Sequence, residues 1–299
     1  IHEPALPMVV SDSDSIEIRF SVDPKGHSLN GFRLYNNGVL LEGVEATATS
    51  EPGGYRAVVP VRDGKNTIQV SASLSGGGES LRQSVIVSAT TPTKPQLFLG
   101  LVGVGAYAGK IRDLKYPAND VADLDRYFSS QQGLAYSRVV TEKLLDAEAT
   151  KTGIKRLRDF FSQAGPNDVT LLYLAGHGFI NSTGVYEFAP VDGNIVDRSL
   201  VGGVSFAELE NLFTASKSTK RALIMDTCHA GELVDDFQGS GHLSTGDLEF
   251  FMQQFFSDLR RGSGISVVAA AGGSELAGEG NLNGTRIENG NFTHCFLKV

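Results

Sequence analysis

The chain has 299 residues, 41% of them hydrophobic, and a formal net charge of −8. That length can bury a large core and favours two domains over one; no apolar run approaches the roughly 20 residues of a membrane span, and the negative charge argues against a nucleic-acid partner while suiting basic protein segments. With only two cysteines, Cys228 and Cys295, a disulfide framework is excluded, and a reducing, cytoplasmic compartment that leaves Cys228 a free thiol fits best.

From the start to about residue 90 the texture is β. Alternating runs at Ser15–Phe20, Tyr55–Val59, Thr67–Ala72 and Ser84–Val87 are separated by Asn36-Asn37-Gly38, Pro52-Gly53-Gly54, Asp63-Gly64 and Gly76-Gly77-Gly78, the spacing of strands and turns in a β-sandwich. The run Asp63-Gly64-Lys65-Asn66 before an alternating strand resembles the last hairpin of bacterial immunoglobulin-like modules. No convergent charge or metal cluster marks this region, so a spacer or adaptor role is expected of it. Ala89 to Pro95 is a polar, proline-bearing linker, and the expected division is residues 1–92 and residues 93–299.

Beyond the linker the periodicity changes. Leu97–Val104 is a continuous apolar run, as a central parallel strand covered on both faces requires. Helical and strand patterns then alternate: a helix over Asp120–Ser130, a strand over Arg138–Glu142, a helix over Thr150–Gln163 stopped by Gly165-Pro166, a strand over Val169–Leu174, a helix over Phe206–Ala215, and strands over Arg221–Met225 and Ile265–Ala270. Such alternation predicts an α/β fold built on a mostly parallel sheet flanked by helices. Gly103, Gly105 and Gly109 loosely imitate a dinucleotide-binding turn, but residues 111–118, with Pro117 among them, separate the turn from the next helix and favour tight packing instead.

Two strands end in chemistry. Leu171–Leu174 leads into Ala175-Gly176-His177-Gly178, and Ala222–Met225 leads into Asp226-Thr227-Cys228-His229-Ala230-Gly231, with His177 about 50 residues before Cys228. In an open α/β sheet the C-terminal rim of the strands is where ligands bind. A thiol near neutral pH is only slightly ionised and needs a base, which His177 supplies. The glycines leave room for a substrate backbone, and the amides of Gly178 and Cys228 are candidates for an oxyanion hole. Either residue alone reads as an ordinary buried side chain; together at one rim they read as a catalytic pair. No His-Glu-x-x-His, paired Cys-x-x-Cys or Gly-x-Ser-x-Gly pattern supports a metal or serine hydrolase.

At these residues the sequence resembles the caspase and metacaspase peptidases, and in particular bacterial caspase-like proteins of metacaspase or orthocaspase type. The resemblance covers residues 97–299 and extends to Asn119-Asp120, Pro190-Val191-Asp192, Ala269-Ala270-Ala271, Ser274-Glu275 and Gly290-x-Phe292-Thr293. It implies a cysteine endopeptidase with Cys228 as nucleophile and His177 as general base. Asp226 and Asp120 match the acids of a pocket that binds P1 arginine or lysine, and protein or peptide substrates follow. No cofactor is required for that chemistry. Calcium as an activator is implied at Asp192, Asp197, Asp235 and Asp236, although Arg198 stands where a further acid is often found. Autoprocessing of a zymogen is implied between Leu233 and Gly264, where Arg260-Arg261 precedes Gly262-Ser263-Gly264; a solvated helix end accounts equally well for those arginines. Ala175 replaces a serine common in metacaspases and removes one polar contact from the pocket. The start at Ile1 and the short stretch after Thr293 suggest processed or trimmed ends, with room for upstream domains or a regulatory partner. The second reading is an inactive caspase-like module serving as a scaffold.

Overall fold

A computed structural model describes residues 1, 8–11, 13–90, 94–181, 183, 185–197, 199–229, 264–270, 279–282 and 284–298, with the backbone alone for residues 8–11, 228 and 229. The N-terminal strands are β1 (Met8–Ser11), β2 (Ser15–Ser21), β3 (Leu29–Asn36), β4 (Val39–Leu40), β5 (Thr47–Ala48), β6 (Gly54–Pro60), β7 (Gly64–Leu74) and β8 (Gln83–Thr90). They form a five-stranded sheet in the order β1-β8-β7-β3-β4 and a three-stranded sheet in the order β2-β6-β5. Alternation explains the pairing of the two sheets: Ile16, Ile18 and Phe20 of β2 and Val85, Val87 and Ala89 of β8 all point into one shared core with Leu34, Ile68 and Val59. Asn37 and Gly38 both have positive φ, 52° and 84°, which is the turn geometry that an Asn-Gly hairpin between β3 and β4 provides.

The second region begins at β9 (Gln96–Gly103), followed by α1 (Pro117–Ser130), β10 (Arg138–Leu145), α2 (Lys151–Phe161), β11 (Val169–Ile180), β12 (Tyr186–Phe188), β13 (Asn194–Val196), β14 (Ser199–Val201), β15 (Val204–Ser205), α3 (Phe206–Thr214), β16 (Lys220–His229), β17 (Ile265–Ala269), β18 (Glu279–Leu282), β19 (Thr285–Gly290) and α4 (Asn291–Phe296). Strands β10, β9, β11, β16 and β17 pair in that order, all parallel. The apolar runs are continuous because both faces are covered. Phe98, Val102, Leu172, Leu174 and Leu223 meet Ile154, Leu157 and Phe161 of α2 and Leu209, Leu212 and Phe213 of α3. On the other face Leu97, Leu99, Leu101, Tyr173 and Ile224 meet Val121, Leu124 and Phe128 of α1, with Phe292 and Phe296 of α4 packed against them.

Helix ends follow their side chains. Thr150 accepts the Gly153 N–H at the start of α2, and Ser205 with Glu208 forms a reciprocal capping box at α3. Helix α1 starts at Pro117, a turn earlier than the sequence suggests. Proline reads as a breaker, yet at the first helical position its missing N–H has no intrahelical acceptor to lose. The glycines after β9 are where backbones touch: a Cβ at Gly103 would lie 2.9 Å from the Pro117 carbonyl, and one at Gly105 would lie 2.9 Å from the Leu114 carbonyl.

Three strands of this region run further than expected, and β10 extends from Glu142 to Leu145. β11 was expected to stop at Leu174 but continues to Ile180, because β12 returns antiparallel against Gly178–Ile180. β16 continues to His229 because its parallel pairing with β11 persists to the end. Cross-strand pairing thus overrides the poor strand preference of Gly176 and Gly178.

Candidate active site

The register of β11 and β16 puts His177 opposite Cys228 and Gly178 opposite His229. The two residues singled out in sequence therefore sit side by side on neighbouring parallel strands, at the C-terminal rim of the sheet. The two amides expected of an oxyanion hole, those of Gly178 and Cys228, lie one step apart in this register.

The imidazole of His177 is 1% exposed. Its Nε2 lies 2.8 Å from the Arg112 carbonyl oxygen, which can only accept, so Nε2 carries the proton. Nδ1 is buried and has no hydrogen-bond partner among the described residues. Tyr107 stacks on the ring, with centroids 5.2 Å apart and planes inclined by 30°, and its hydroxyl accepts the His177 backbone N–H at 2.9 Å. Burial pushes the His177 pKa below its ordinary value, and the nearby Arg112 charge acts in the same direction; the hydrogen bond to Arg112 and the charge of Asp113 oppose them. The ring is consequently a neutral base at neutral pH.

Asp120 and Asp226 also come together. They are 3% and 8% exposed, from the first turn of α1 and from β16. Asp120 accepts the Gly290 N–H at 3.0 Å, while Asp226 Oδ2 accepts the Thr293 hydroxyl at 2.6 Å and the Tyr173 hydroxyl at 3.3 Å. Both carboxylates close on one point, since a Cβ at Gly290 would lie 2.8 Å from Asp226 Oδ2 and 3.2 Å from Asp120 Oδ2. Among the described residues neither acid has a lysine or arginine partner. Burial, and next the Asp226 charge, push the Asp120 pKa up to about 7. Burial raises Asp226 as well, against the lowering effect of the Thr293 and Tyr173 hydrogen bonds.

The acids considered for calcium are not brought together by what is described. Asp192 Oδ1 accepts the Lys151 N–H at the start of α2. Asp197 lies in the turn between β13 and β14 with a φ of 47°. No group of three or more His, Cys, Asp or Glu able to hold a metal occurs among the described residues. Asp235, Asp236, Arg198, Arg260 and Arg261 lie outside the described residues.

Sequence reasoning did not find Tyr107, the Arg112 carbonyl or Tyr173. A backbone carbonyl has no sequence signature, and both contacts of the loop reach His177 across more than 60 residues. Thr293 was visible only as part of Gly290-x-Phe292-Thr293.

Comparison with known proteins adds one decisive finding: the family model described as "Caspase domain" matches residues 100–281, more than half of the chain. No curated protein matches the sequence. Solved structures give faint likenesses. A fibronectin(III)-like module structure from Clostridium thermocellum is 14% identical, covering 29% of this chain and 91% of its own, with a TM-score of 0.25. An adhesin of Streptococcus sanguinis is 16% identical over 29% of this chain and 56% of its own, at 0.23. A 2,6-sialyltransferase of Photobacterium is 10% identical over 73% of this chain and 40% of its own, at 0.22. Scores this low bear on neither fold nor activity.

Proposed function

The chain belongs to the caspase-domain family, and from that premise we propose that it is a cysteine endopeptidase cleaving protein substrates after arginine or lysine, with Cys228 as nucleophile and His177 as base. The observation that carries the proposal is the pairing of His177 with Cys228 on adjacent strands at the sheet's C-terminal rim.

In this mechanism the Cys228 thiol gives its proton to Nδ1 of His177, the nitrogen without a partner among the described residues while Nε2–H donates to the Arg112 carbonyl. The thiolate attacks the scissile carbonyl carbon, forming the S–C bond, and the oxyanion faces the amides of Gly178 and Cys228. As the C–N bond breaks, the imidazolium returns its proton to the departing amine. Water then attacks the thioester with His177 again as base, releasing the acid and restoring the thiol.

Support for a basic P1 residue comes from the acid pair. Two buried carboxylates with no lysine or arginine partner among the described residues call for a proton or a positive ligand, and a guanidinium can meet both at once. His177 and both acids are covered, which supports a latent form that opens for substrate. We extend the proposal to autoprocessing near Arg260-Arg261, to calcium as an activator through the loop acids including Asp192 and Asp197, and to an immunoglobulin-like spacer at the N-terminus.

The test is a fluorogenic peptide panel varying P1, with calcium and with chelator, on the native protein and Cys228→Ala. Cleavage after arginine or lysine that vanishes in the variant is expected. A Cys228→Ala protein working at the native rate, or better turnover of P1 aspartate than arginine, rejects the mechanism or the specificity. A native protein inert on every peptide favours the scaffold. A fragment beginning at Arg261 or Gly262, absent from the variant, is the expected trace of autoprocessing.

A further inference from the structure

The loop of residues 104–116, between β9 and α1, carries both groups that hold His177. It is pinned along its length. Asp146 Oδ1 accepts the N–H groups of Gly105 and Ala106 at 2.7 and 2.9 Å, from a residue that itself adopts a left-handed φ of 41°. Asp113 Oδ1 accepts the Tyr107 N–H at 2.9 Å, Asn194 Oδ1 accepts the Lys110 N–H at 3.2 Å, and Glu279 accepts the Lys115 N–H at 3.2 Å. A loop fixed at so many points places Tyr107 and the Arg112 carbonyl in register with each other. They act on His177 from two directions: the phenol ring lies over the imidazole and takes its backbone N–H, and the carbonyl takes its Nε2–H. Gly176 is part of the same arrangement. A Cβ there would come within 2.9 Å of the Tyr107 hydroxyl and 3.1 Å of the Phe188 ring, and its φ of 154° further disfavours a side chain. The glycine before the histidine is thus the space that Tyr107 occupies.

We propose that Tyr107 is a positioning residue for His177: it fixes the ring plane and the main chain beneath it, so that Nε2–H stays on the Arg112 carbonyl and Nδ1 remains the base. The inference rests on the Cys228/His177 reading above. It differs from a packing role because it ties Tyr107 to the proton affinity of the imidazole. Covering one face of the ring keeps water from it, and that desolvation is the largest influence lowering the His177 pKa. Among the described side chains, the charged and titratable groups acting on the ring are Arg112 and Asp113 on the loop and Tyr107 itself; the backbone of Cys228 on β16 lies opposite in register, Phe188 of β12 pairs with Gly178, and the Ala189 amide just beyond β12 donates to the His177 carbonyl at 2.9 Å.

The test compares native enzyme, Tyr107→Phe and Tyr107→Leu by kcat, KM, melting temperature and the pH profile of kcat/KM. Tyr107→Leu uncovers the ring and frees it to turn. It should lower kcat by on the order of 10²-fold, as misplacing a catalytic group does, with KM little changed, and the acid limb should move to higher pH as the imidazole regains its ordinary affinity for protons. Tyr107→Phe keeps the stack and loses only the hydroxyl, so its acid limb should stay native while kcat falls by about tenfold, in keeping with an orphaned buried N–H. The proposal is overturned by a Tyr107→Leu enzyme with native kcat, or by one that loses activity and melting temperature together while the acid limb stays in place. Should Tyr107→Leu fail to fold, Tyr107→Phe decides, and native kcat in that variant overturns the proposal. Native-rate cleavage by His177→Ala or Cys228→Ala is a different result, since it removes the reading underneath rather than the role of Tyr107 within it.

Discussion

Two buried polar clusters flank the rim of one sheet, and burial does opposite things to them. Among the described residues, the groups hydrogen-bonded to His177 through its ring and its N–H are neutral, a main-chain carbonyl and a phenol. Burial there lowers the pKa and leaves an uncharged imidazole, which is the form a base needs. Around Asp120 and Asp226 the partners are the Gly290 N–H, the Asn289 side chain and two hydroxyls, and the nearest charges are negative. Burial raises both acids, which favours a proton on the pair near neutral pH. Under the function proposed above, the same desolvation would ready one cluster to take a proton from a thiol and the other to exchange a proton for a cation.

Replacing the base should break this comparison most sharply. His177→Ala is expected to lower kcat/KM by at least about 10³-fold for every peptide, whatever its P1 residue. Asp226→Asn should instead act selectively: with half of the acid pair neutral, kcat/KM for P1 arginine should fall by on the order of 10²-fold while slow cleavage after uncharged residues persists. Equal losses on arginine and uncharged substrates in Asp226→Asn would show that the two clusters are not separable.

The second expected effect is on stability. In the folded chain Asp120 titrates at about 7, against an ordinary carboxylate value of 3.8. Its protonated form is the one the fold favours, so its contribution is fully present below about pH 4 and is lost as pH rises through 7; the difference amounts to no more than about 4 kcal/mol. Asp120→Asn keeps an acceptor for the Gly290 N–H and cannot ionise. Denaturant melts at pH 5 and pH 8 should show the native protein losing stability over that interval and the variant losing much less. A native protein as stable at pH 8 as at pH 5 would contradict the raised value.

How much of this was legible beforehand depends on the kind of signal. Apolar runs such as Leu97–Val104 and capping residues such as Thr150 act locally, and they located the parallel strand β9 and the start of α2. The catalytic candidates were legible because His177 and Cys228 each follow such a run. Strand pairing beyond Leu174 was not, since it comes from β12 and β16 and not from the preferences of Ala175-Gly176-His177-Gly178. Asp120 and Asp226 were paired through a family resemblance, and nothing in their own spacing announces it. Tyr107 and Arg112 were invisible for a physical reason: they act through a hydroxyl on a backbone amide and through a main-chain carbonyl, neither of which constrains the neighbouring sequence.

The smallest expected effect concerns Thr293, which separates the acid cluster's own energetics from its use in binding. Its hydroxyl is fully buried, donates to Asp226 Oδ2 at 2.6 Å and meets the Tyr173 hydroxyl at 2.7 Å. Valine matches threonine in shape, so Thr293→Val removes the hydroxyl without opening a cavity and should cost about 1–2 kcal/mol. The sign of its pH dependence is informative. The Thr293 hydrogen bond lowers the pKa of Asp226 by favouring its ionised form; without it the raised pKa rises further, and ionising Asp226 in the fold becomes harder. The variant should therefore lose more stability at pH 8 than at pH 5, whereas Thr293→Ser, which keeps the donor, should follow the native protein at both. Equal destabilisation of Thr293→Val at the two pH values would mean that the hydroxyl serves packing or Tyr173 alone, and that Asp226 is not held as a titrating carboxylate by α4.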